Sequence, residues 1–132
     1  MVSVDLSGRV ALVTGGGQGL GQATSRGLYA AGAAVAVNYF PDADGMNRQR
    51  AEATVLSLGE RAVAVPADVR DGAQVSRCLA AVIDRFGRLD IVVNNAAIIR
   101  DRTLRNMSDD DWDAVIDTNL TGVFQVCKAA QG

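Results

Sequence analysis

Two hydrophobic periods alternate along the chain. Short, continuous, β-branched apolar runs give way to stretches in which apolar residues recur every three or four positions. The run "RVALVTG" (9–15), bounded by Gly8 and the glycines after Thr14, predicts a buried strand. From Gly19, apolar or small residues fall at Leu20, Ala23, Thr24, Gly27, Leu28 and Ala31, which predicts a helix stopped at Gly32. A second strand is predicted over "AAVAVNYF" (33–40), followed by turn chemistry in "PDADG" (41–45) and a polar, helix-prone stretch that ends at Gly59. "RAVAVPAD" (61–68) predicts a third strand. Asp71 is placed to cap a helix with Val75, Leu79, Val82, Ile83 and Phe86 on its apolar face, stopped by Gly87. "LDIVVNNA" (89–96) predicts a fourth strand. Ser108, with Asp111 three residues on, resembles a capping box opening a helix that carries Trp112, Val115 and Ile116. A last helix carries Leu120, Val123, Phe124 and Cys127.

Strands that are apolar throughout are buried on both faces, so the alternation predicts an α/β fold with a parallel sheet covered by helices. Ligands in such folds sit at the carboxyl ends of the strands. The segments directly after each strand are therefore where chemistry is expected.

Composition narrows the function classes. A chain of 132 residues with 48% hydrophobic content is expected to form one domain with a real core. The net charge of −2, and twelve arginines scattered with one lysine, Lys128, give no footprint for nucleic acid. The absence of histidine excludes a Ser-His-Asp triad and any His-ligated metal, and no metal site is expected. Cys78 and Cys127 lie in helical patterns, at neither metal-ligand nor C-x-x-C spacing, and are expected to be buried free thiols. "MVSVDLSGRV" is not a signal peptide, and no apolar run approaches the ~18 residues of a membrane span. A cytoplasmic protein is expected.

Three motifs follow strands, and a fourth, Asn119, lies within a later helical stretch. "VTGGGQGLG" (13–21) combines a sharp turn, a backbone free of Cβ atoms and a helix N-terminus, which together suit a pyrophosphate. It lacks the Gly-Lys-Ser/Thr of a P-loop and departs from strict GxGxxG; it fits Thr14-Gly15-x-x-x-Gly19-x-Gly21. "NNAA" (94–97) offers Asn94 either as a tie between backbone segments or as part of a ligand cleft. Asp68, in "ADV" (67–69), reads either as an acceptor for an adenine amino group or as a loop cap. Asn119 reads as a solvent-facing residue or a kink.

In this order the motifs resemble those of the short-chain dehydrogenases/reductases, over essentially the whole chain. Residues 98–124 look most like the 3-oxoacyl-(acyl-carrier-protein) reductases. The resemblance implies a Rossmann-type doubly wound sheet and NAD(P)(H)-dependent hydride transfer between a nicotinamide and a small carbonyl or alcohol substrate. It implies that Thr14, Gly15, Gln18, Gly19, Leu20 and Gly21 belong to the pyrophosphate turn. Asp68 and Val69 then flank the adenine, Asn94 lies near the adenosine ribose, and Ala96 and Ala97 lie near the nicotinamide ribose. Asn119 becomes the helix-kinking Asn that holds a water in a proton relay. Ala97 stands where the family usually has Gly, a change that is harmless unless φ is positive there. At the end of strand two, Asn38 stands where an acidic residue would favour NAD. Gln18 stands where NADP enzymes often carry a basic residue. NADP(H) is favoured over NAD(H), and Arg48 or Arg50 is a candidate to reach the cofactor.

The family's Ser and Tyr-x-x-x-Lys have no counterpart here: Tyr29 and Tyr39 precede Ala33 and Ala43, and Phe124 precedes Lys128. The resemblance implies a sheet cut after its fourth strand and following helices, with the catalytic groups beyond residue 132. The piece alone is then inactive, with strand one or four as an open edge and Leu120, Val123 and Phe124 exposed for homo-oligomer contacts. The competing reading is a non-catalytic dinucleotide-binding or interaction fragment.

Overall fold

Four short strands carry the fold: β1 (Val10–Val13), β2 (Ala34–Tyr39), β3 (Ala62–Pro66) and β4 (Ile91–Val93). The computed structural model describes residues 2–132. All strand pairs are parallel, in the order β3-β2-β1-β4. β1 lies inside the sheet, between β2 and β4, so the expected edge falls on β4 and not on β1. The chain runs outward from β1 to β3 and then returns across the sheet to β4. That reversal makes the β1/β4 boundary the switch point, where such folds open a crevice.

Each strand connects through a helix. α1 (Gly19–Ala30), α2 (Met46–Leu58) and α3 (Gly72–Phe86) form the three crossovers. After β4 come α4 (Asp109–Ile116), a π-helical turn (Asp117–Thr121) and α5 (Gly122–Ala130). The strand side chains alternate between two cores. Val13, Val35 and Val37 pack with Ala51, Leu28 and Val55 under α1 and α2. Leu12, Ala36 and Val65 pack with Val75, Leu79, Val82 and Val126 under α3 and α5. Each fully buried Val or Leu contributes roughly 1.5–3 kcal/mol of transfer free energy, so β1, buried at all four positions, anchors both layers.

Three helix faces differ from the periodic expectation. In α1 the buried residues are Gly21 and Ser25, whereas Leu20 is 76% exposed and Ala23 and Gly27 are exposed. Ser25 goes inside because its hydroxyl donates to the carbonyls of Gly21 (2.9 Å) and Gly16 (3.2 Å), which removes the desolvation cost. In α3, Ile83 is 45% exposed while Val82 is fully buried. In α5 the packed residues are Gly122 and Val126. Cys127 is therefore exposed, and only Cys78 is the buried thiol expected. Burial pushes the Cys78 thiol up to about 11. Asp71 and Ser108 cap α3 and α4 as expected. The Asp111 carboxylate faces Arg100 and Arg102 instead of completing a reciprocal box. Among the described residues, no helix is long and apolar enough to cross a membrane.

Candidate functional site

A cleft of about 530 Å³ opens at the carboxyl ends of the strands, lined by the glycine turn, the ends of β2 and β3, and the segment after β4. Its floor is a hydrogen-bonded knot. The Thr14 hydroxyl accepts from the amides of Asn95 and Ala96, both at 3.0 Å. The Asn95 amide nitrogen donates to the carbonyls of Thr14 (3.0 Å) and Gly15 (3.1 Å). These bonds fasten the segment after β4 to the glycine turn.

Gly21 shows why this turn tolerates so little. A Cβ there would fall 2.2 Å from the Gly15 carbonyl oxygen and 2.5 Å from Asn95 Nδ2. Gly19 is different: φ is +54° and the space where its Cβ would stand is open. Gln18, the residue before α1, has extended backbone but makes no side-chain cap bond, and no acidic residue lies in the first turn. Among the described residues, no protein acceptor meets the Gly19, Leu20 and Gly21 amides. The positive end of α1 is thus left uncapped beside the cleft, an arrangement that suits a phosphate.

Asn38 is buried, and its side chain bonds three backbone groups. It accepts from the Gly15 amide (3.3 Å) and donates to the carbonyls of Val65 (3.2 Å) and Ala67 (3.3 Å). Its backbone carbonyl accepts from Gly16. It ties β2 to β3 and to the turn, and both of its amide protons are engaged, so it has no donor left for a ribose. Asp68 is also engaged. Arg70 forms a two-pronged pair with its carboxylate, with Nη2–Oδ2 at 2.7 Å and Nε–Oδ1 at 2.9 Å. The hydrogen bond from Arg70 holds that carboxyl below the usual range, against the opposing effect of partial burial.

The cleft brings together Gly15, Gln18, Leu20, Gly21, Asn38, Asp68, Val69, Ala96 and Ala97. It does not include Thr14, Gly19, Asn94 or Asn119 among its lining residues. Thr14 lies beneath the floor as a strut. Asn94 is exposed and its amide approaches Cys127 Sγ at 3.5 Å, away from the cleft. The tie expected of Asn94 is made by Asn95, because successive residues leaving a strand point to opposite sides. Asn119 sits in the π-helical turn, where its side chain bonds both the amide and the carbonyl of Ile98 at 2.9 Å. It thereby clamps the segment after β4. No non-glycine residue among those described has positive φ, so Ala97 is unstrained. Sequence reasoning missed Asn95, Asn47 and Arg70 as lining residues; strand alternation was the available signal for Asn95. Of the two candidate arginines, Arg50 lines the cleft, while Arg48 pairs with Glu52 at 2.8 Å.

The residues fit a dinucleotide on these grounds: a glycine-rich turn, an uncapped helix end and a cleft at the switch point. The family model for short chain dehydrogenases matches residues 9–131. The chain is 44% identical over 124 residues to a 3-oxoacyl-[acyl-carrier-protein] reductase of Synechocystis, covering 94% of this chain and 49% of the relative. It is 45% identical over 130 residues to a hydroxyacyl-CoA dehydrogenase of Mycobacterium tuberculosis, covering 97% and 41%. A crystal structure of a short chain dehydrogenase from Burkholderia cenocepacia, in complex with NADP, superposes with a TM-score of 0.85 at 41% identity. That match covers 96% of this chain and 51% of the other. The chain spans about half the length of these relatives. By motif, fold and match over nearly all its residues, it belongs to the short-chain dehydrogenase family, whose members are oxidoreductases.

Proposed function

We propose that this chain holds the dinucleotide of a nicotinamide-dependent oxidoreductase acting on a small carbonyl or alcohol, with 3-oxoacyl thioesters as the favoured class and NADP(H) favoured over NAD(H). The observation that carries this reading is the uncapped α1 N-terminus beside a glycine turn at the carboxyl ends of four parallel strands. The similarity to a 3-oxoacyl reductase and to an NADP-complexed structure supports the finer choices. When bound, the cofactor supplies the hydride.

In this reading the α1 amides and Gly15, Gly19 and Gly21 hold the pyrophosphate. Asp68 and Val69 border the adenine, with the Asp68 carboxylate kept in place by Arg70. Ala96 and Ala97 border the nicotinamide ribose. Asn119 acts as a positioning residue, through its two bonds to Ile98. The 132 residues act as one binding unit. We assign proton transfer to groups outside them: Tyr29 lies under Arg61 (3.9 Å), and Lys128, the one lysine, lies over Phe124 (5.7 Å) and does not line the cleft that Tyr39 borders. The chain alone therefore binds cofactor without turning over substrate. Exposed Leu120 and Phe124 are the surface for a second copy of the chain, and the setting is the cytoplasm.

Isothermal titration with NADPH tests the reading. The expected result is saturable binding at one per chain. Gly19→Ala weakens it by about tenfold or more, because lost charge-assisted hydrogen bonds are worth roughly 1.5–3 kcal/mol. A folded protein that binds neither NADPH nor NADH refutes the reading.

A further inference from the structure

Two residues that follow neighbouring strands meet across one end of the cleft. Phe40 comes directly after β2 and is 46% exposed, whereas Tyr39 before it packs against the α1/α2 core. Arg70 comes shortly after β3, and its Cζ stands 5.8 Å from the centre of the Phe40 ring. Both residues line the cleft, together with Asp68, Val69, Ala114 and Thr118.

Two anions act on this guanidinium. Both oxygens of the Asp68 carboxylate accept from Arg70, at 2.9 Å and 2.7 Å, and Asp117 of the π-helical turn adds its charge from beyond ion-pair distance. The Arg70 side chain is 43% exposed, and an ion pair or a cation–π contact open to water is weak, so the guanidinium can leave either partner. The gap between Arg70 and Phe40 is too narrow for a base. Stacked bases repeat every ~3.4 Å, so a base between two flat groups needs them about 7 Å apart. Where Arg70 stands, it covers the ring face that a base would use.

We propose that Arg70 is a latch on the base end of the cleft: it lies on Phe40 in the free chain, swings off to admit the adenine, and closes again on the outer face of the base. The latch sets how fast the dinucleotide enters and leaves, and has little effect on how tightly it binds. The guanidinium exchanges one flat aromatic partner for another, and a contact equal in two states shifts no equilibrium. Opening forgoes the Phe40 contact and loosens the Asp68 pair, which leaves about one free chain in ten open. This rests on the reading of the cleft as a dinucleotide site.

The test is stopped-flow mixing of the 132-residue chain with NADPH, then displacement by excess NADP+, for wild type, Arg70→Ala and Phe40→Leu. In Arg70→Ala the association and dissociation rates both rise about tenfold, while Kd changes less than about threefold. The rise in association is the telling sign, because removing a cation by itself slows the approach of an anionic ligand. Phe40→Leu keeps the Arg70–Asp68 pair but removes the ring on which the latch rests, and it too raises the association rate. Association that stays the same or slows in either folded variant overturns the latch. So does faster dissociation of Arg70→Ala matched by an equal loss of affinity. Either result leaves the dinucleotide site in place. A folded wild-type chain that binds neither NADPH nor NADH overturns the site and the latch together.

Discussion

α1 and α3 both follow a parallel strand of the same sheet, and their N-termini are finished in opposite ways. α3 carries its own anion: the Asp71 carboxylate accepts from the amides of Ala73 (2.9 Å) and Gln74 (3.3 Å). α1 begins at Gln18, whose backbone (φ −153°, ψ 161°) already has the extended geometry of a capping residue but whose side chain turns to Arg50. An unfilled cap forgoes about 1 kcal/mol of stability. The fold accepts that loss at a helix end that adjoins the cleft. The difference separates a helix terminus that completes itself from one left for a ligand to complete.

The largest effect should come from closing the space that lets α1 approach its turn. Gly21→Ala drives a Cβ into the Gly15 carbonyl and the Asn95 side-chain amide that donates to it at 3.1 Å. A loss of about 3 kcal/mol in urea unfolding is expected. A variant that melts like wild type would show the turn to be compliant.

Giving α1 the cap that α3 has is a subtler change. Gln18→Asp should raise stability by about 1 kcal/mol, through the cap bond and the helix dipole. It should also weaken dinucleotide binding by about tenfold, because the new carboxylate occupies the amides and meets Arg50. NADP+ should suffer more than NAD+. Thermal melts and titrations on the same sample read both effects, and a gain in stability with unchanged binding would dissolve the contrast between the two helices.

The smallest effect is a pH dependence confined to α3. Hydrogen bonds from Gln74 hold the Asp71 carboxyl below its ordinary value of 3.8. A carboxyl lowered in the folded state stabilises fully above its unfolded pKa, and that contribution disappears as pH falls through the folded value. Amide exchange at Ala73 and Gln74 should therefore lose protection on acidification below about pH 4. Asp71→Asn should remove that pH dependence. The first turn of α1, which has no carboxylate, should show no matching change.

Much of this was legible in the residues. Continuous β-branched runs marked all four strands, because a strand buried on both faces admits little else. The Gly stops and the Asp71 and Ser108 caps marked helix ends, because these signals act within a few residues. The glycine turn was legible because only glycine permits the backbone approach seen at Gly21. Asn95 was harder: which of two adjacent Asn residues faces the turn depends on where β4 ends, and the end of a strand is set by pairing with β1.

The sequence by itself determined the order of elements, their α/β class and the presence of a turn fit for phosphate, since these rest on local period and local sterics. Only the tertiary structure decided which side of each element is used. It buried Ser25 and exposed Leu20, because two carbonyls awaited a small donor. It committed Asn38 to three backbone groups, one in the glycine turn and two at the end of β3. It also set Arg50 beside Gln18, thirty-two positions away in sequence, because α2 packs its smallest face onto the glycine turn. Such contacts join groups remote along the chain, and their geometry exists only once sheet and helices have packed.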